Sequence, residues 1–204
     1  MKKGFSHKLN TIKVYRFIGE KSRHIFSPLD LQRYFKVNYD TARKFILRGV
    51  NKRLYLKLKR GLYALAETPP SSYLIANRLY EPSYVSFDTA LSYHGVIPET
   101  IYSMTSATTK ATRRFVANGI EYTYQKIRKE AFTGYRAVKY RGETVLLAEP
   151  EKALADYLYF VDLKKRNPSY ERVNLKKIQK NRLMAYVKLF KRPKMQNLIK
   201  NIYA

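Results

Sequence analysis

Positive charge is concentrated at the two ends of this 204-residue chain. Residues 1–66 contain 17 Lys and Arg against 3 Asp and Glu, and residues 164–204 contain 13 against 1. Residues 67–163, which lie between them, contain 11 of each and are neutral overall. This segregation of a net charge of +26 predicts a folded body with two separate surfaces that face a polyanion. Nucleic acid is the first candidate for that polyanion.

The composition argues against several classes of protein. With 45% hydrophobic residues, 19 Tyr and 10 Phe, the chain can build one large or two small domains. It has no cysteine, which removes disulfides, thiolate zinc sites and cysteine nucleophiles. Its histidines, His7, His24 and His94, are too scattered for a metal site. No apolar run approaches the roughly 20 residues that span a bilayer. We therefore expect a cytoplasmic protein with no metal, cofactor or membrane partner.

Three helices are predicted in the first 50 residues. Apolar residues one turn apart predict the first over 9–18, with its buried face formed by Leu9, Ile12, Tyr15 and Ile18. Ser27-Pro28-Leu29-Asp30 opens the second, because Ser27 can cap free amides and Pro28 suits the first helical position. Its predicted buried residues are Leu31, Tyr34 and Phe35. The third runs from Tyr39 to about Val50, with Asn38 as its cap and Ala42, Phe45, Ile46 and Val50 facing inward.

A cationic β-hairpin is predicted to follow these helices. Leu54, Leu56 and Leu58 alternate with Tyr55, Lys57 and Lys59, the period of a half-buried strand. Lys59-Arg60-Gly61 fits a three-residue loop in which Gly61 takes a positive φ. Two short helices joined by a turn, then a basic-tipped hairpin, are typical of a winged helix-turn-helix, which we predict over 1–66.

We expect this domain to bind double-stranded DNA. Basic side chains on the outer side of the third helix and on the hairpin can reach base edges or phosphates, and polar residues at the helix start can do the same. The predicted DNA-binding residues are Asn38, Tyr39, Thr41, Arg43, Lys44, Arg48, Lys57, Lys59 and Arg60. For Tyr39, packing beneath the turn is an equally open alternative.

A stiff linker, Glu67–Ser72, precedes a second domain over 73–204. That domain is predicted to be α+β, with a small, mainly antiparallel sheet and C-terminal helices. We expect a helix over Tyr73–Tyr80, a helix capped by Asp88 that ends at Gly95, and a helix opened by Glu149-Pro150-Glu151. The predicted strands are Pro82–Ser86, Tyr102–Thr105, Gly119–Tyr124, Tyr135–Tyr140 and Thr144–Ala148, the last two joined at Arg141-Gly142.

Several segments of the second domain stand out as motifs: Pro82–Ser86, Ala90–Gly95, Ile97–Glu99, Thr105–Thr109 and Ala148–Leu154. Together with Arg60–Leu65 as a second wing strand, they resemble the AbiEi antitoxin family over most of the chain. Members of that family are transcriptional regulators of type IV toxin–antitoxin systems, encoded beside a nucleotidyltransferase-like toxin in phage-defence operons. The resemblance implies repression by the winged domain, often helped by the second domain. It also implies that the second domain opposes the toxin without a stable complex.

No catalytic arrangement is predicted. Ser92, His94 and Asp88 lie on one predicted helix, where capping and helix ending explain them better than a nucleophile and its base. Asp162-Leu163-Lys164 matches part of a metal-dependent nuclease motif but falls at a helix end. The Ser/Thr-rich run over 103–112, followed by Arg113-Arg114, leaves open a phosphate site or a strand with a capped turn.

The basic C-terminal block is predicted to form helices over Leu175–Phe190 and Pro193–Tyr203, with Ile178, Leu183, Val187, Phe190, Leu198 and Ile202 facing inward. Its many cations would repel one another without a counter-surface. A second DNA contact and an acidic partner protein, such as a toxin, both remain open. The residues of this possible second surface are Arg113, Arg114, Lys176, Lys177, Lys180, Lys188, Lys191 and Arg192.

Residues and resemblance together predict a DNA-binding transcriptional repressor of its own operon that also acts as an antitoxin to a nucleotidyltransferase-like toxin. We expect a monomer in solution that binds operator DNA, an inverted repeat, as two copies. The alternative is a basic RNA-binding or ribosome-associated adaptor.

Overall fold

The computed structural model of the protein describes residues 9–20, 24–166 and 173–203. The chain divides into two compact units, one of Met1–Ser71 and Ala117–Gly119, the other of Ser72–Val116 and Ile120–Ala204. Both contain helices and sheet, so the protein is of the α+β class. Among the described residues, no helix has the length and apolarity needed to cross a membrane.

The first unit is built from three helices and a three-stranded sheet. Its elements are α1 (Thr11–Glu20), β1 (Ile25–Phe26), α2 (Pro28–Phe35), α3 (Tyr39–Asn51), β2 (Tyr55–Lys59) and β3 (Leu62–Leu65). The strand order is β1-β3-β2, and both neighbouring pairs are antiparallel. The helices and the sheet enclose one aromatic-rich core, which includes Phe17, Phe26, Phe35, Tyr55 and Tyr63.

The predicted starts of α2 and α3 are confirmed, whereas α1, predicted over 9–18, runs over Thr11–Glu20. Ser27 and Asp30 form a reciprocal capping box at the start of α2: the Asp30 amide donates to Ser27 Oγ, and the Ser27 amide donates to the Asp30 carboxylate. The Asn38 carboxamide accepts from the Thr41 amide at 2.7 Å and caps α3. Caps of this kind stabilise a helix by about 1 kcal/mol each, so they determine where α3 begins.

The predicted buried face of α1 is correct only in part. Ile18 is buried and Leu9 and Tyr15 pack partly buried against the core, but Ile12 is 67% exposed, and Val14 and Phe17 are buried in addition. Both rows have helical spacing, so periodicity could not choose between them. The core takes up the Phe17 ring, which is 1% exposed and lies 4.2 Å between centroids from the Tyr34 ring in a tilted arrangement. Tyr34, which was predicted to be buried, remains 43% exposed.

The predicted alternation along β2 is interrupted by a bulge, although Leu58 is buried and Lys57 exposed as predicted. Tyr55 and Leu58 are buried while Leu56 is only half-buried. The register against β3 shifts between Lys57 and Lys59, and such a bulge moves the residues beyond it to the other face. The loop is also shorter than predicted: Lys59 belongs to the strand, leaving Arg60-Gly61 between β2 and β3, with Gly61 at the predicted positive φ of 78°.

The second unit contains a six-stranded sheet covered by helices. After Ser71 the chain forms α4 (Ser72–Leu79), β4 (Ser83–Val85), α5 (Phe87–Tyr93), β5 (Met104–Thr108), β6 (Arg113–Ala117), β7 (Ile120–Lys126), β8 (Tyr135–Tyr140), β9 (Glu143–Ala148), α6 (Pro150–Asp162), α7 (Lys180–Lys188) and α8 (Pro193–Ile202), with single 3-10 turns at Lys129–Ala131 and Leu175–Lys177. The strand order is β6-β7-β5-β4-β9-β8.

Two predictions about this sheet need correction, and for the Ser/Thr-rich run the alternative of a strand with a turn is the one observed. The sheet is mixed rather than mainly antiparallel, because β4 runs parallel to β9 and β5 parallel to β7. Strand β6 was not predicted, since its Arg-Arg start and exposed residues hide the strand pattern. The Ser/Thr-rich run before it is β5 and a turn, in which Thr108 donates to the Pro82 carbonyl at 2.7 Å. The turn at Arg141-Gly142 is confirmed, with both residues at positive φ.

The helices of the second unit differ from prediction at their ends. Ser86, not Asp88, is the N-cap of α5, and it makes no side-chain cap because its hydroxyl donates to Asp156. The exit at Gly95 has the predicted positive φ of 61°. Helix α7 begins at Lys180 rather than Leu175, after a 3-10 turn. In α8 the buried residues include Met195 and Ile199, which prediction omitted.

A buried ion pair lies at the centre of the second unit. Lys152 and Asp156, one turn apart on α6, are both fully buried and ion-paired. Ser86 and Tyr84 donate to the second Asp156 oxygen at 2.7 and 3.0 Å. Burial raises the pKa of Asp156 and lowers the pKa of Lys152, since desolvation outweighs their mutual attraction. The strand β4 and the helix α6 are therefore joined by a polar network that tolerates no missing partner.

We expect Lys152→Met and Asp156→Asn each to lower the free energy of unfolding of the second unit by about 3 kcal/mol or more, because each leaves a buried charge or acceptor unpaired. The double replacement should cost less than the sum of the two. Urea unfolding followed by tyrosine fluorescence measures this cycle. Arg78→Gln, which removes an ion pair with Glu81 whose side chains are 48% and 62% exposed, is the control and should cost under about 1 kcal/mol. If the double variant lost as much free energy of unfolding as the two single variants together, Lys152 and Asp156 would not be coupled.

Glycine at 49 is required by close packing. A Cβ there would lie 2.3 Å from two ring carbons of the Tyr55 side chain, whereas a Cβ at Gly19 on α1 meets nothing within 4 Å. We expect Gly49→Ala to destabilise the first unit by about 1 to 3 kcal/mol through overpacking. Gly19→Ala should be neutral or slightly stabilising, since alanine favours helix. Thermal unfolding of both variants tests this, and equal behaviour of the two would refute it.

Candidate nucleic-acid interface

The outer face of α3 is a polar column on a helix whose opposite face is buried. Ala42, Ile46 and Gly49 face the core, so the residues about half a turn away face outward. Asp40, Lys44 and Arg48, spaced four residues apart, form the centre of that outward face and are all exposed. We call these three residues the outer column. Arg48 Nε donates to the Lys44 carbonyl at 3.4 Å, which orients the guanidinium along the helix.

The start of α3 brings the other predicted residues beside this column. Thr41 and Arg43 are exposed. Tyr39 is 45% exposed at the first helical position, so much of its ring is open to a ligand. Asn38 differs from the rest because its carboxamide oxygen is occupied by the Thr41 amide. The role of Asn38 in binding a nucleic acid is therefore to fix where α3 begins.

The hairpin adds cations, though fewer than expected. Lys57 on β2 and Arg60 at the tip are exposed. Lys59 is half-buried within the strand and has an interaction of its own. The exposed residues at the end of α3, Asn51, Lys52 and Arg53, were missed by the sequence analysis. The spacing could have found Asn51, since it lies seven residues after Lys44 and so on the same face.

Tyr55 fixes the geometry between α3 and the hairpin. Its ring lies against Gly49 of α3 and packs edge-on against Phe26 at 5.3 Å between centroids. The Leu54 amide donates to the Gly49 carbonyl at 2.9 Å. Burial raises the pKa of Tyr55 far above its usual range, so this ring stays neutral. The cationic helix and the cationic hairpin are thus held by one rigid aromatic contact.

The predicted second surface is spread over several elements of the second unit. Arg113 and Arg114 are exposed on the edge strand β6; Arg113 lies over the Tyr80 ring at 5.6 Å, and Arg114 pairs with Glu121 at 2.7 Å. In the C-terminal block, Arg192 pairs with Asp162, so this cation is engaged internally.

The lysines of the C-terminal block fall into two groups. Lys177 donates to the His94 carbonyl at 3.2 Å, and Lys180 lies over the Tyr203 ring at 4.8 Å. Lys176, Lys188 and Lys191 are exposed, and within the described part of the chain they form no ion pair. Glu149 accepts from Arg182 and Tyr186; burial raises the pKa of Glu149, but these hydrogen bonds lower it overall.

The residues weighed as catalytic are engaged separately. The Ser92 hydroxyl donates to the Glu99 carbonyl at 2.7 Å, and Asp88 pairs with Arg166. His94 Nε2 donates to the Ala148 carbonyl at 2.8 Å. Asp162, whose side chain is 3% exposed, is neutralised by Arg192. In residues 9–20, 24–166 and 173–203 no cluster of three His, Asp or Glu side chains could hold a metal ion, and His7 lies outside these ranges.

Burial lowers the pKa of His94 below its ordinary 6.5, although the Ala148 carbonyl opposes this. The folded state therefore binds the His94 proton more weakly than the unfolded state. Neutral His94 therefore adds to the free energy of unfolding of the second unit. We expect this addition to be complete above about pH 6.5 and to be lost as the pH falls through the lowered pKa of His94. Thermal unfolding between pH 7.5 and 5 should show a smaller loss for His94→Gln, which keeps an amide donor. An equal loss in both proteins would exclude His94 as the cause.

No protein-family model matches the chain, and a comparison with curated proteins finds no match. The interface is therefore interpreted from its own geometry and charge.

Proposed function

We propose that the protein is a DNA-binding transcriptional repressor whose first unit acts as a winged helix-turn-helix. The observation that carries the proposal is the outer column of α3, with Lys44 and Arg48 exposed beside a hairpin that has Arg60 at its tip. The element order α1-β1-α2-α3-β2-β3 supports it, because it supplies a two-helix turn followed by a hairpin. Helix α3 would enter the major groove while Arg60 contacts phosphate.

The fixed position of α3 in the first unit supports sequence-specific rather than non-specific binding of DNA. The cap at Asn38 fixes where the helix starts, and the Gly49–Tyr55 contact fixes how it meets the hairpin. Base readout needs side chains held in register, whereas phosphate attraction alone does not. Two copies on an inverted repeat would each insert one helix, and the repressor would act on its own operon.

The C-terminal block favours nucleic acid over an acidic protein as its partner. Among the described residues of the block, Lys176, Lys188 and Lys191 are exposed lysines without an ion pair, and a lysine suits phosphate as a point charge. Protein interfaces instead have an apolar or aromatic centre and few lysines. Among the described residues of α7 and α8, no large apolar side chain is exposed. We therefore assign the block to the phosphate backbone, without base readout.

The antitoxin role rests on the resemblance to the AbiEi family. Two of the motifs that carry the resemblance, Pro82–Ser86 and Ala148–Leu154, meet in space. Tyr84 and Ser86 from the first donate to Asp156, which is ion-paired with Lys152 from the second. This network makes the motifs one structural unit and gives both a physical reason to occur together. We propose that the second unit opposes a nucleotidyltransferase-like toxin without catalysis of its own.

The proposal predicts a steep salt dependence of duplex binding. The affinity for DNA from the region upstream of the gene should fall by about 0.9 log units per phosphate contact for each log unit of salt. The double variant Lys44→Gln, Arg48→Gln should have a shallower slope of log affinity against log salt, by the equivalent of about one to two phosphate contacts. It should also bind at least about tenfold more weakly. Fluorescence anisotropy over about 50 to 200 mM salt measures both quantities.

Lys13→Gln with Arg16→Gln is the matched control, because it removes the same two charges from exposed positions of α1. Its effect on affinity should be small. Equal losses in both double variants, or a slope near zero, would refute the assignment of α3. Structured RNA at equal salt is the comparison ligand, and tighter binding of RNA than of upstream DNA would favour the adaptor alternative.

A further inference from the structure

The outer column contains one acid among its cations. Residues 1–66 contain the acids Glu20, Asp30 and Asp40. The Asp30 carboxylate is engaged in the capping box with Ser27. Asp40 is exposed on the face that Lys44 and Arg48 share. A negative charge at that place would repel phosphate and weaken binding that depended on charge alone.

Asp40 is also free of internal partners within the described residues. It stands four residues before Lys44, the orientation that favours an ion pair on a helix, yet no ion pair or hydrogen bond joins its carboxylate to Lys44 or to any described side chain. Both oxygens of the carboxylate can therefore accept from a ligand. A carboxylate accepts only, so the ligand group must be a donor.

We infer that Asp40 is a specificity-determining residue that accepts a hydrogen bond from the exocyclic amino group of a cytosine in the major groove. This inference rests on the proposed function. The major-groove edge of cytosine carries an amino donor, and Asp and Glu are the side chains that accept from it. Arg and Lys cannot take this role because they have no acceptor. Lys44 and Arg48 attract the duplex whatever its sequence. Asp40 opposes that attraction except where a base donates a hydrogen bond to it, so it makes the affinity depend on the base.

A different role is available to an acid in the first turn of a helix, since it stabilises the helix dipole. That role would affect folding and would leave base preference unchanged. Asp40→Asn separates the two, because asparagine pairs with adenine through both a donor and an acceptor. The matched control is Glu67→Gln, which removes one negative charge from an exposed position outside the helices and strands of the first unit.

The test is selection of duplexes from a random library by the wild-type chain, Asp40→Asn and Glu67→Gln at one salt concentration. The wild-type motif should contain a cytosine that Asp40→Asn replaces by adenine, with about tenfold or greater loss of discrimination at that position. Glu67→Gln should select the wild-type motif. Asp40→Asn should also bind non-specific duplex more tightly, since it removes a repulsive charge.

Two results would overturn the inference in distinguishable ways. If Asp40→Asn selects the wild-type motif with changes only in melting temperature, Asp40 acts on the helix alone and the proposed function survives. If the wild-type chain selects no motif and does not bind duplex DNA, the proposed function fails and takes the inference with it.

Discussion

The placement of α3 depends on one contact, the Tyr55 ring against Gly49. The ring fills the space that a side chain at position 49 would need, and it also packs against Phe26 in the sheet. The helix that carries Lys44 and Arg48 and the hairpin that carries Arg60 are therefore parts of one rigid body. Charge alone would draw any basic surface to a duplex, but only a fixed angle between helix and hairpin lets side chains meet particular bases.

In the second unit, β4 and α6 are joined by polar groups that are buried away from water. Burying the charges of Lys152 and Asp156 is unfavourable, and their ion pair offsets part of that cost. The hydroxyls of Tyr84 and Ser86 donate to the carboxylate oxygen of Asp156 that Lys152 leaves free. Such a network does little for net stability compared with apolar packing, but it strongly disfavours any other register between β4 and α6.

Local signals in the sequence were sufficient for the starts of α2 and α3, the positive-φ turns and the α+β class, but not for the starts of α5 and α7. The caps at Ser27 and Asn38 and the turn at Arg141-Gly142 are set by residues within three positions of one another. Features that need distant partners were not predictable. The bulge between Lys57 and Lys59 places Leu58 on the buried face with Tyr55 and leaves Leu56 half-buried, and α1 buries Phe17 rather than Ile12. At the candidate interface, sequence located the cations but not the engagement of Arg192 by Asp162 or the free carboxylate of Asp40.

The strand order of the large sheet leaves β6 and β8 outermost, and each of these borders has cationic residues on it: Arg113 and Arg114 on one, Arg136 and Lys139 on the other. Open borders of this kind invite strands of other molecules to add on, and like charges are one of the ways in which proteins prevent it. Cations on both border strands therefore disfavour the addition of a strand from a neighbouring copy of the chain.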